Sequence, residues 1–173
     1  MPFTPFHFGP GLLLKGLGCR WFSMTTFVAT QVIIDCETLY YIKRHEWPLH
    51  RSLHTFVGAT VAGCATAAVV LGLRSCLRRF SRGGYDLSGF DRPMFRSELS
   101  TVGILTGGLI GGLTHPLLDG LMHRDIRPFL PWTEVNPLQG AVELVTLHLG
   151  CLLAGLIGLL LVAHRWYWDR RSR

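Results

Sequence analysis

Residues 101–132 read TVGILTGGLIGGLTHPLLDGLMHRDIRPFLPW, and the first twenty or so decide the fold. Residues 101–121 are apolar and long enough to cross a bilayer as a helix, which takes roughly 20 residues. Yet His115 and Asp119 stand four apart near the end of this segment, with His123 four further on. Ionisable side chains at membrane depth are costly and are retained chiefly for function. One-turn spacing puts His115 and Asp119 on one helical face, where imidazole and carboxylate can converge on a metal ion. Gly103, Gly107, Gly108, Gly111 and Gly112 offer small-residue faces for close helix packing.

Working outward, residues 53–73 and 140–163 read as two further spans. The chain has 173 residues, 49% of them hydrophobic and 16% charged, where a soluble domain carries about a quarter charged. Mean hydropathy is +0.32. These numbers predict an all-α polytopic membrane bundle of about four spans, forming a single integral-membrane domain over residues 1–173. The net charge of +6 comes largely from arginines beside apolar runs. That pattern fits anchoring at a lipid surface, and with no basic-aromatic module in view nucleic acid is not an expected partner. The five cysteines form no CxxC pair, so neither a disulfide framework nor a zinc knuckle is expected. The first residues, MPFTPFHFGPG, do not read as a cleaved signal peptide.

Residues 7–42 admit two readings. One is a single span from Trp21 to Ile42; the other is a helical hairpin turning near Cys19, Arg20 and Trp21. The hairpin is favoured, because a span holding Asp35 and Glu37 well inside it would be expensive. It also brings His7 to the side where Asp35 lies. Arginines orient the bundle: the 74–100 connection and the C-terminal tail are both Arg-rich and are expected in the cytoplasm of a cell whose inner membrane holds the chain.

That topology gathers the unusual polar residues at the opposite face. Asp35 and Glu37 close the first apolar region, His50 and His54 open the second span, and His115 and Asp119 close the third. Arginine counts set the orientation without using these residues, so their convergence is independent support for a metal site. His50 and His54 share a face if their segment is helical. Arg51 is placed to bind a phosphate or a carboxylate. His123 reads as an incidental loop residue, while Glu143 and His148 are badly spaced to share an ion.

The order of these motifs resembles the integral-membrane metal-dependent hydrolases. The counterparts are His7, then IIDCE with Asp35 and Glu37, HRSLHT with His50, Arg51 and His54, and GGLTHPLLD with His115 and Asp119, followed by RPFLPW. The resemblance covers roughly residues 1–135. Ile34 stands where the family has Pro, Glu37 replaces its second Asp, and the two histidines of the HR motif are one residue closer. The family is distantly similar to zinc-dependent phospholipase C and related nucleases. The resemblance implies a divalent metal, foremost Zn2+, held by His7, Asp35, His50, His54, His115 and Asp119. It further suggests metal-activated water attacking a phosphoester or other ester; the arginine topology puts that site at the extracytoplasmic face, where a lipid head group is one candidate substrate. Glu37 would orient the water or act as base, and Arg51 would stabilise developing negative charge. The competing expectations are a non-catalytic metal-binding protein and a structural membrane protein whose His and Asp residues tie helices together.

Overall fold

The computed structural model describes residues 5–18, 21–81 and 96–171. Among them are five α-helices and no strand: α1 (Phe8–Gly16), α2 (Met24–Lys43), α3 (Phe56–Ser81), α4 (Thr101–Met122) and α5 (Leu144–Arg171). Short 3-10 turns at Pro5–His7 and Ser52–His54 precede α1 and α3. The windows Phe56–Arg79, Thr101–Met122 and Leu144–Arg171 are long and apolar enough to cross a membrane. This is the make-up of a multi-pass membrane protein.

Helix α4 is the centre of the bundle, because its glycines let two neighbours approach on two faces. Gly107 and Gly111 face α2. A Cβ on Gly107 would run into the Ser23 carbonyl, and one on Gly111 would sit 3.0 Å from Thr30 Cβ. Gly108 and Gly112 face α3, where added Cβ atoms would strike the carbonyls of Gly63 and Ala59. Apolar side chains of α4 (Leu105, Leu109, Leu113 and Leu117) point outward and are exposed. Lipid tails are as apolar as leucine, so such helices associate through close packing and polar contacts rather than by hiding leucine. Helix α1 packs chiefly on α5, with Gly9 against the Cys151 carbonyl and Gly16 against Gly158.

Helix α2 has the reverse pattern, with Thr26, Thr30, Gln31, Asp35 and Thr38 on its buried face and Ile33, Leu39, Tyr40 and Ile42 exposed. Its polar residues therefore face protein, which is how a helix of 20 residues carrying two acids can stand beside apolar spans. Ser23 caps it by accepting a hydrogen bond from the Thr26 N–H, and Ser100 caps α4 through the Gly103 N–H in the same way.

The two ends of the bundle are chemically distinct. At one end Lys15 donates to Ser97 Oγ at 2.6 Å and pairs with Glu98. Glu98 in turn accepts from the Thr25 N–H at the start of α2. Arg165 of α5 reaches the Leu17 carbonyl there, and Arg74 of α3 reaches that of Leu99. The candidate site lies at the other end.

Residues 7–42 form two helices, α1 and α2, as the hairpin reading expects, although α1 leans more on α5 than on α2. Cys19 and Arg20, where the turn was placed, lie outside the described residues, as do residues 82–95 of the Arg-rich connection. The helices also overrun the expected spans. Helix α3 continues to Ser81 and α5 to Arg171, so Arg74, Arg78, Arg79, Arg170 and Arg171 are helical rather than loop residues. Arginine is a good helix former and can carry its charge away from the apolar zone on a long stem. Pro116 does not end α4, which runs on through it.

Candidate metal centre

Asp35, His54, His115 and Asp119 each offer one ligand atom, and these four atoms all lie within 4.8 Å of one another. All four residues are buried, His54 and His115 completely. Asp35 is on the inward face of α2, His54 ends the 3-10 turn before α3, and His115 with Asp119 occupies one face of α4. His7, ending the turn that opens α1, joins them: its Nε2 is 3.0 Å from Asp119 Oδ1, and its ring centroid is 4.8 Å from that of His115.

The spacings suit an ion. Four donors around a tetrahedral ion with bonds of about 2.0–2.1 Å stand about 3.3–3.4 Å apart. His115 Nε2 lies 3.2 Å from Asp119 Oδ2 and 3.5 Å from Asp35 Oδ1, and His54 Nε2 lies 3.7 Å from Asp119 Oδ2. Despite this closeness, His7 Nε2, His115 Nε2 and Asp119 Oδ1 are buried with no aligned hydrogen-bond partner. Buried polar atoms are normally satisfied. A cation among these closely spaced atoms would satisfy them.

Outer contacts fix which ring nitrogen faces inward. His115 Nδ1–H donates to Gln31 Oε1, and Gln31 Nε2 donates to Thr114 Oγ1 at 3.2 Å, which sets the amide orientation. The Nε2 of His115 is thereby turned toward the two carboxylates. His54 Nδ1–H donates to Glu37 Oε2 at 3.0 Å, leaving its Nε2 toward Asp119, with Thr38 Oγ1 at 3.3 Å. Metal-binding histidines characteristically give their other ring N–H to a carboxylate or carbonyl oxygen. Glu37 also accepts from the backbone N–H groups of Arg51 and Leu53, so it shapes the 3-10 turn as well as the ring.

A second group lies beside the first. His50, His123 and Asp125 each bring a ligand atom within 4.8 Å of the others. The His50 and His123 rings are stacked with centroids 4.6 Å apart. Both Asp125 oxygens meet His50 Nδ1, at 3.0 and 2.9 Å, and Oδ2 also accepts from the N–H groups of Leu49 and His50. Burial pushes the pKa of His50 below 6.5, helped by neighbouring His54, and burial does the same to His123. A shift in that direction favours the neutral ring, the form in which imidazole binds metals. Burial alone would raise Asp125, but the His50 ring and the two backbone N–H groups outweigh it and hold the carboxyl below 3.8. His50 and Asp125 open onto a cavity of about 460 Å³ also lined by Arg51, Ser52, Thr55 and Arg127.

The sequence-derived ligands thus divide. His7, Asp35, His54, His115 and Asp119 come together, whereas His50 belongs to the neighbouring group. His50 and His54 do not share a helical face; the chain between them is irregular and then 3-10, so the two rings diverge to different groups while staying 4.7 Å apart. Arg51 extends its guanidinium over the Tyr41 ring at 3.7 Å and bonds the Pro48 carbonyl and Glu46. Sequence reasoning missed Gln31 and Asp125 and discounted His123. The run His123–Arg124–Asp125 just past a span carrying His115 and Asp119 was the available signal. Glu143 and His148 belong to neither group, and the His148 ring is tilted against that of Phe6. No family model, curated protein or solved structure matches this chain.

Proposed function

We propose that the protein is a membrane-embedded, metal-dependent hydrolase that cleaves a phosphoester or other ester at the extracytoplasmic face. The observation that carries this reading is the close, buried group of Asp35, His54, His115 and Asp119, joined by His7, in which His7 Nε2, His115 Nε2 and Asp119 Oδ1 have no hydrogen-bond partner. Mixed imidazole and carboxylate donors suit Zn2+. A divalent ion there would supply Lewis-acid chemistry and bring the pKa of water toward neutrality.

The chain's own residues would do the rest. Gln31 and Glu37 hold the His115 and His54 rings in their working tautomers. Arg51 and Arg127 line the adjacent cavity, paired with Glu46 and Glu134, and an anionic substrate group would compete with those glutamates for them. Because the cavity lies beside apolar helices, a lipid head group is the favoured substrate class. This is the activity that the resemblance to integral-membrane metal-dependent hydrolases implies.

Detergent-purified protein should contain divalent metal and hydrolyse members of a phosphoester panel, including phospholipids, in a chelator-sensitive way. His115→Ala with Asp119→Ala should lose both properties. Metal-free wild-type protein, or metal content unchanged by the double substitution, would sink the reading.

A further inference from the structure

We propose that the centre holds two ions, the second bound by His50, His123 and Asp125 beside the buried one. The proposal rests on the buried centre above only through Asp119, which touches both groups.

Asp119 Oδ2 faces His115 and His54, while Oδ1 lies 3.0 Å from His7 Nε2 and 4.0 Å from His123 Nε2. Oδ1 thus lies between His7 of the buried group and His123 of the outer one, which places the carboxylate to bridge two ions, and two-metal sites hold their ions about 3.5–4 Å apart. The backbone supports this placement. The His123 N–H bonds the Asp119 carbonyl at 2.8 Å, closing the last turn of α4, and His123 itself leaves the helix in an extended conformation. That departure stacks its ring on His50. Stacked imidazoles gain little as an isolated pair between half-buried loops, but two rings side by side can act as neighbouring ligands of one ion.

The two positions differ in access. His54, His115 and Asp119 are sealed in the bundle, whereas His123 keeps 24% of its side-chain surface exposed and His50 and Asp125 line the arginine-containing cavity. The outer ion is therefore the one an incoming anionic group meets. It should exchange faster and be stripped first by chelator. Two nitrogens and a carboxylate favour Zn2+ or a similar borderline divalent cation over Ca2+ or Mg2+.

The test is metal stoichiometry of the full-length protein in detergent, loaded with Zn2+, desalted and measured by elemental mass spectrometry. Wild type should carry two ions per chain, and His123→Ala and Asp125→Asn one each. Titration with Co2+ followed by visible absorption should show two steps in wild type. Only the later, weaker step should vanish in His123→Ala, and retention of the first step shows that the variant is folded. One ion per chain in wild type, removed by His115→Ala and untouched by His123→Ala and Asp125→Asn, would overturn the second ion and leave the buried centre standing. No ion in wild type would overturn both.

Discussion

Glu37 holds the His54 ring and two backbone N–H groups, so its carboxylate acts on the centre through His54. Outer carboxylates of this kind typically change metal affinity by about 10- to 100-fold when lost. Glu37→Gln should therefore weaken metal binding by about that factor in chelator competition, while the number of ions at saturating metal stays the same. If Glu37 instead served as the base, turnover would collapse with affinity unchanged, and the two measurements separate these roles. Gln31→Leu should act likewise, because the His115 Nδ1–H would lose its acceptor. The sequence exposed the residues of the buried group better than Gln31, which supports one of them, or Asp125 of the outer group. His115 and Asp119 stood out because charge inside an apolar span demands a reason. Gln31 is a neutral amide with no such alarm, and Asp125 sits in a loop where acids are common. Their partners are 84 and 75 residues away, a distance no local pattern spans.

Helix α4 shows what a glycine pattern does and does not reveal. That its small residues mean close packing was legible; that Gly107 and Gly111 serve α2 while Gly108 and Gly112 serve α3 needed the fold. The consequence is testable by contrast. Gly112→Val would push a side chain into the Ala59 carbonyl, and overpacking of this kind costs about 1–3 kcal/mol or more. Gly72, on α3, has nothing within 4 Å of an added Cβ, so Gly72→Ala should keep or raise stability, by up to about 1 kcal/mol from helix propensity. Thermal unfolding in detergent should move down for the first and not for the second. Equal shifts would mean that α4 does not make these contacts. The helix ends were less legible than the spans, since arginines that continue α3 and α5 look like loop residues in a hydropathy reading.

Across the whole molecule, the donor groups occupy one end and the arginines of the α3 and α5 helix ends, such as Arg74 and Arg165, the other, which makes sidedness measurable. In a background without native cysteines, Trp132→Cys should react with an impermeant maleimide from outside intact cells, and Arg171→Cys only after permeabilisation. The reverse would invert the proposed orientation without dispersing the site. The arginine end also contains its own lock. Burial would raise the Glu98 pKa, but the Lys15 ammonium and the Thr25 N–H outweigh it and hold the carboxyl below 4.5. A carboxyl whose pKa is lowered by folding stabilises the fold above its unfolded value and loses that contribution as pH falls through the folded one. The ionised Glu98 should therefore stabilise the junction of α1, α2 and the start of α4 at neutral pH, and progressively less below about 4.5. Other carboxylates titrate in the same range, so the decisive quantity is the difference in melting temperature between wild type and Glu98→Gln. That gap should be open at pH 7 and narrow as the solution is acidified. A gap constant with pH would mean that the ionised form of Glu98 contributes nothing there. Lys15→Met should open a gap of its own at neutral pH, because it leaves a half-buried carboxylate without its cation.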